Sequence, residues 1–406
     1  MKTIAIIGGG ASGLIASIYA SKNNNVILIE KNENCAKKIL VTGNGKCNYW
    51  NSDQELKHYH SSNIDFIDKV NTEENQKEIL KFFEKIGIVP FIKNGYYYPF
   101  SGTASSIKSA LLLQAKINNV EIKEDCLVNE ISKNNNTFCI KTNKGTIIVD
   151  KVILATGSLA YYKDEHSNIG YEIAKKFGHT IIKVLPSLVQ LKGEEKYFKD
   201  WMGIRNNVEI SLYEETKFVK KEEGEILLTD YGISGICVFN ISGEAAKLLD
   251  KKKNVKVKIN FVPWIKEDLI EWMNKRNFIV QERKIDELLE GFLNYKLVHV
   301  LLKIANIDKN KKWSNLTIKE QNELIEKLQN FTLNITGTNS FDKAQICSGG
   351  IDTQEINPKT MESLIVKGLY FAGEIIDVDG DCGGYNLSFA WQSGMIAGRS
   401  AGDDVD

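Results

Sequence analysis

No apolar run in these 406 residues is long enough to cross a bilayer, and the N-terminus enters a strand-like segment rather than a secretion signal. Neither sign of charge is in excess. The 52 Lys and Arg balance 52 Asp and Glu, so no global field favours nucleic acid or a lipid surface. These absences predict a cytoplasmic protein with a small-molecule substrate and no nucleic-acid or membrane partner. Lysine runs such as Lys251–Lys253 and Lys309–Lys312 read as solvated faces. The seven cysteines are scattered and show no C-x-x-C, which fits a reducing compartment. Cys35 and Cys47 stand twelve residues apart and none follows until Cys126, so a redox pair is not expected; Cys47 and Cys382 read as small packing residues. Histidine is scarce too. His58, His60, His166, His179 and His299 offer no convincing metal spacing, no metal is expected, and no Ser/His/Asp set is legible. His58-x-His60 lies in a polar stretch and reads as surface, while His166 follows a strand and suits either surface or active site. The middle of the chain lacks a second G-x-G-x-x-G, which argues against a dedicated nicotinamide domain. NADH or NADPH, if used, would enter transiently at the substrate cavity.

What is present lies at the two ends. Lys2–Ile7 reads as a buried strand, Gly8-Gly9-Gly10-Ala11-Ser12-Gly13 as its turn, Ser12–Lys22 as a helix, and Val26–Glu30 as a second strand ending on an acid. This is a βαβ dinucleotide unit. Gly8 permits the tight turn, Gly10 lets backbone approach a pyrophosphate, and Gly13 lets helix pack on strand. The phosphates would meet the helix amides at Ala11 and Ser12. Glu30 can accept from ribose hydroxyls and would repel a 2′-phosphate, so NADP is not expected in this site. The fingerprint alone does not separate NAD from FAD. Near the other end, Gly368–Gly373 reads as a strand followed by Glu374, and a glycine-rich loop runs through Gly383-Gly384-Tyr385-Asn386 into a helix over Leu387–Ala401. A second helix N-terminus suits the pyrimidine end of an isoalloxazine, where negative charge appears on reduction. Glu374 suits a ribityl hydroxyl. Together the ends point to FAD.

Further segments are Lys38-Ile-Leu-Val-Thr-Gly-Asn-Gly-Lys-Cys-Asn48, Ala155-Thr156-Gly157, Tyr231-Gly-Ile-Ser-Gly235 and Ser348-Gly-Gly350. With the two termini they resemble the BaiN/YhiN-like family of bacterial NAD(P)/FAD-dependent oxidoreductases, which includes aminoacetone oxidase-type flavoproteins. The resemblance covers most of the chain but not the helical stretch from about 264 to 330. It implies cofactor contacts at Gly8, Gly10, Ala11, Ser12, Gly13, Glu30 and Lys31. It implies more at Lys38, Thr42, Gly43, Gly45 and Asn48, at Ala155, Thr156 and Gly157, and at Gly373, Glu374, Gly383, Gly384, Tyr385 and Asn386. Asp230 and Tyr231, just before Gly232, become candidate acid/base groups. Three positions depart from the family: Asp230 where most members have histidine, Tyr96 where many have arginine, and Tyr161–Asn168 in place of a Thr-Gly-Ser-rich stretch.

The expected architecture is α/β. It comprises a discontinuous Rossmann-like FAD domain (1–185 and 345–406), a β-rich substrate-side domain (186–263 and 331–344) and a small helical domain (264–330). Glu73–Ile86 and Ala104–Asn118 read as helices and Phe91–Phe100 as a hairpin turning at Asn94-Gly95. Val120–Glu130 reads as a strand, and Trp272, Phe292, Leu301 and Leu302 as helical core. Tyr96-Tyr97-Tyr98 and Tyr161-Tyr162 either line a flat substrate cavity or pack in hairpins. The resemblance implies NAD(P)H-driven reduction of a conjugated C=C in an apolar 3-oxo bile-acid-type enone, which the tyrosine clusters suit. It also allows oxidation of a small amine such as aminoacetone, releasing hydrogen peroxide. A flavin-bearing RNA-modifying or binding protein is the alternative of another class.

Overall fold

Short apolar strands alternating with helices build a parallel sheet in the computed structural model, which describes residues 1–161, 168–280 and 283–403. The chain divides into two compact units: Met1–Leu185 with Ile346–Asp406, and Pro186–Gln345. Tyr162 and His166 fall outside the described residues.

The first unit is centred on five parallel strands in the order Leu369–Phe371, Lys151–Leu154, Thr3–Ile7, Asn25–Ile29 and Glu121–Lys123. A parallel sheet is covered on both faces, which is why Ile4–Ile7 and Val152–Leu154 are apolar without alternation and buried. Helices Ala11–Ala20 and Tyr385–Gly402 pack against each other. Gly394, Gly398 and Gly402 recur one turn apart and meet the backbone of Ser12, Ala16 and Ala20. A methyl group on Gly398 would overlap the Ala16 carbonyl.

The hairpin forms as expected from Pro90–Lys93 and Tyr96–Pro99, with Asn94 (φ 52°) and Gly95 (φ 83°) left-handed at its turn. The expected strand over Val120–Glu130 is instead two, Glu121–Lys123 and Val128–Asn134. Asp125 between them is left-handed (φ 51°), and Cys126 N turns aside to donate to Glu30 O.

The second unit holds a seven-stranded antiparallel sheet in the order Phe331–Ile335, Val255–Asn260, Arg205–Glu214, Lys217–Leu228, Gly232–Gly235, Leu191–Lys192 and Gly337–Thr338. Amid strand-like sequence it also contains the 15-residue helix Ile236–Asp250. Four helices follow, Leu269–Ile279, Ile285–Glu290, Tyr295–Ile304 and Ile318–Gln329. They share one core with the sheet: Val257 and Leu333 of the strands and Leu301, Leu302 and Leu324 of the helices are fully or almost fully buried. Trp272 and Phe292 pack at its edge, partly exposed. Among the described residues no helix is long and apolar enough to cross a membrane.

Candidate active site

The first glycine-rich turn leaves the end of Thr3–Ile7 and becomes helix Ala11–Ala20 with Gly10 as its N-cap. Close approach dictates Gly8 and Gly13: a methyl on Gly8 would overlap the Ala155 carbonyl, and one on Gly13 would overlap the Gly8 carbonyl. Gly10 differs, since a methyl there would meet nothing within 4 Å. Internal bonding of the helix begins with Leu14 N donating to Gly10 O, so the amides of Ala11, Ser12 and Gly13 face out of the N-terminus. Glu30 is buried at the next strand end, its carboxylate accepting from Gly9 N (2.7 Å) and Asn32 N (2.8 Å). Lys31 follows it, half-buried.

The second helix N-terminus has the same build. Tyr385–Gly402 starts after Gly384, which is left-handed at φ 98°. Among the described residues neither N-terminus is capped by a side chain. Asn386 clasps the preceding loop, accepting from Gly380 N (2.8 Å) and donating to Gly380 O (2.8 Å). Its side chain is therefore engaged in shaping the loop.

The Lys38–Asn48 loop reaches this second N-terminus. Gly43 sits against Asn48, and a methyl on Gly384 would lie 3.1 Å from Asn48 Oδ1. Among the described residues Asn48 Oδ1 and Thr156 Oγ1 are buried without a hydrogen-bond partner, an expensive state that a ligand would relieve. Lys38 Nζ pairs with Glu374 Oε2 (2.5 Å), and Ser158 Oγ donates to Glu374 Oε1 (2.8 Å). Lys46 is exposed. Thr42 Oγ1 donates to Ile39 O, tightening the turn. Gly373 presses on Ser12, where a methyl would collide with Oγ. Open space at Gly10 and Gly157, two uncapped helix ends, the Glu30 carboxylate and two orphaned oxygens make a set that fits an extended dinucleotide such as FAD.

Cysteine contributes no thiolate here. Burial pushes the Cys47 thiol up to about 11 and the Cys347 thiol up to about 12. None of the seven cysteines is joined in a disulfide. Among the described residues no group of three or more His, Cys, Asp or Glu could hold a metal ion.

Sequence reasoning placed His58-x-His60 on the surface, and the structure corrects that. Asp381, nearly buried, accepts from both rings: His58 Nδ1 at 3.2 Å and His60 Nε2 at 3.0 Å. His58 Nε2 faces Asp53 (3.0 Å), and its ring stacks on Tyr385 at 4.5 Å. The pairing of Tyr59–His60 with Asp379–Gly380 brings these groups together. More than 320 positions separate Asp381 from either histidine, so no local pattern could have shown it.

The tyrosine run splits by strand alternation. Tyr97 turns inward, edge-on to buried Tyr49 (6.1 Å). Tyr96 and Tyr98 take the other face, near Gly383 and Gly43 respectively. Asp230 and Tyr231 belong to the second unit, in the turn where Thr229 N donates to Gly232 O; Asp230 is exposed and Tyr231 half-buried.

A family model described as the HI0933-like protein Rossmann domain matches residues 2–400. The chain is 36% identical over 407 residues to the 3-dehydro-bile acid delta(4,6)-reductase of Clostridium scindens, covering 99% of this chain and 100% of that protein. It is 28% identical over 404 residues to the ribosomal RNA dihydrouridine synthase of Escherichia coli, covering 98% of each. Among solved structures it shares the fold of the 3-ketosteroid-delta4-(5alpha)-dehydrogenase from Rhodococcus jostii. The TM-score is 0.52 at 14% identity, with 99% of this chain and 96% of that one covered.

Proposed function

Because the chain belongs to the HI0933-like Rossmann-domain family and is an FAD-dependent oxidoreductase, we propose that it reduces a conjugated C=C in an apolar, carbonyl-bearing substrate of the 3-oxo bile-acid type, with NADH or NADPH as electron donor. The observation carrying this reading is the 36% identity along the full length of a reductase of that substrate class. FAD, when bound, supplies the hydride. The chain's own residues bind and orient. The amides of Ala11, Ser12 and Gly13 receive the pyrophosphate beside the space at Gly10, and Glu30 receives ribose hydroxyls. Asn48, Thr156 and the Lys38–Glu374 pair hold the ribityl side, and the amides after Gly384 face the pyrimidine end. The acid/base role of Asp230 and Tyr231 is proposed from the family resemblance alone.

The test is anaerobic absorbance of the flavin-loaded protein. NADH or NADPH should bleach the flavin band, and a 3-oxo-Δ4 steroid should restore it. No bleaching by either nucleotide refutes the nicotinamide step, and bleaching by aminoacetone instead would place the protein among amine oxidases.

A second reading, reduction of uridine in ribosomal RNA, is favoured by relatives 28% and 27% identical over nearly the whole chain. Failure to shift ribosomal RNA in a gel at moderate salt would remove it.

A further inference from the structure

We propose that Tyr96 and Tyr98 form a carbonyl-binding wall, their phenol hydroxyls holding the oxygen of a flat, uncharged substrate. This rests on the enone reading above and names the residues that recognise its carbonyl.

The hairpin geometry carries the assignment. Strand Tyr96–Pro99 lies between Trp50–Asn51 and Pro90–Lys93, so its register is held from both sides. Residues two apart share a face, which places both phenols together and turns Tyr97 into the core. Tyr96 and Tyr98 stand by different glycine loops. A methyl on Gly383 would lie 2.9 Å from Tyr96 Cε1, and one on Gly43 would lie 3.7 Å from Tyr98 Cε1. Those loops are themselves joined where Gly384 meets Asn48. The two rings thus stand beside both loops assigned to the cofactor.

The immediate surroundings are aromatic rings and an amide, and the Tyr385 ring stacks in turn on His58, which pairs with Asp381. Tyr385 Cε2 and Asn51 Nδ2 would lie 3.0 Å and 3.4 Å from the same methyl on Gly383, and Asn51 Nδ2 donates to Gly383 O (2.9 Å). Strand Tyr96–Pro99 brings rings and hydroxyls to this face, a good match for a flat carbonyl compound, with exposed Lys93 as the ladder partner of Tyr96. Burial, and then the neighbouring Tyr96, push the Tyr98 phenol upward, so it keeps its proton and can donate. A phenol donating to a carbonyl oxygen fixes orientation and strengthens as that oxygen gains negative charge.

The experiment uses the flavin-loaded full chain with Tyr96→Phe, Tyr98→Phe and the double variant. Two probes are titrated against the visible flavin spectrum: 4-androstene-3,17-dione and the oxygen-free hydrocarbon 5α-androstane. Each single variant should bind the dione about three- to tenfold more weakly, the loss of one neutral hydrogen bond, and the hydrocarbon unchanged. Phe keeps the ring, and unchanged flavin content verifies the fold. Wild-type binding of the dione with variants that match it overturns this proposal and leaves the enone reading standing. An equal loss for both probes assigns the tyrosines to packing and likewise overturns it. A wild-type protein that does not bind the dione overturns both.

Discussion

Gly10 and Gly13 lie three residues apart in one motif, yet their replacement should fail in opposite ways. At Gly10 the backbone is extended (φ −81°, ψ −162°) and the side-chain direction is open, so the Cβ of Gly10→Val enters without collision. Valine is a poorer N-cap than glycine, a cost of about 1 kcal/mol or less. At Gly13 the added methyl group strikes the Gly8 carbonyl, which is backbone and cannot swing aside. Overpacking of that kind costs about 1–3 kcal/mol, and alanine's better helix propensity returns about 1. Gly13→Ala should therefore lose about 1 kcal/mol, and up to about 2 at the severe end of overpacking, without any cofactor present. Gly10→Val should keep the stability of the apo-protein while its isopropyl group fills the space assigned to the pyrophosphate. Saturating FAD at a hundred times its dissociation constant stabilises a binding protein by about 2.7 kcal/mol, and Gly10→Val should not show that gain. Urea unfolding with and without FAD, together with the ratio of flavin to protein absorbance, reads both quantities. Stoichiometric flavin and an intact FAD-induced stabilisation in Gly10→Val would refute the placement of the phosphates.

Three other outcomes are expected. Asp230→Asn should keep its flavin and slow turnover at least tenfold if the carboxylate transfers a proton; an unchanged rate would make the turn purely structural. His179 is buried between Glu355 and Ser363, and burial lowers its pKa despite the carboxylate. Its folded pKa lies below the unfolded value, so the unfolded chain binds the extra proton and stability falls as pH drops below about 6.5. His179→Gln should flatten the urea midpoint between pH 7.5 and 5.5 relative to wild type. Five of the seven cysteines are buried and two, Cys139 and Cys382, are partly exposed. An aromatic disulfide reagent at pH 7.5 should thus label about two thiols quickly and all seven only in denaturant; fast reaction of Cys47 would contradict its burial.

Legibility followed the range of the interaction. The first βαβ unit could be read because Gly8, Gly10, Gly13 and Glu30 all lie within thirty residues of one another. The Asn94-Gly95 hairpin could be read because the turn chemistry is local. The helix Ile236–Asp250 lies within a segment whose sequence is strand-rich, and its Val238 and Ile241 serve a buried helix as well as a sheet. Lys38 and Glu374 are 336 positions apart, and the His58–Asp381–His60 cluster spans a similar gap, so only the folded chain brings the partners together. The single hydrophobic core uniting strands Val255–Asn260 and Phe331–Ile335 with helices such as Tyr295–Ile304 is likewise a tertiary fact. Burial alone left Trp272 and Phe292 at its margin.

The glycine stripe of helix Tyr385–Gly402 has a consequence for synthesis on the ribosome. Helix Ala11–Ala20 is translated long before the surface it packs on, which carries Gly394, Gly398 and Gly402. At about 5–20 residues per second, roughly 20–80 s pass before that surface has been translated. The contiguous second unit, Pro186–Gln345, needs no such wait. During elongation the first helix must stand with its small-residue face uncovered while the inserted unit folds beyond it. The proposed nucleotide site then closes late, as a seam between segments translated far apart in time.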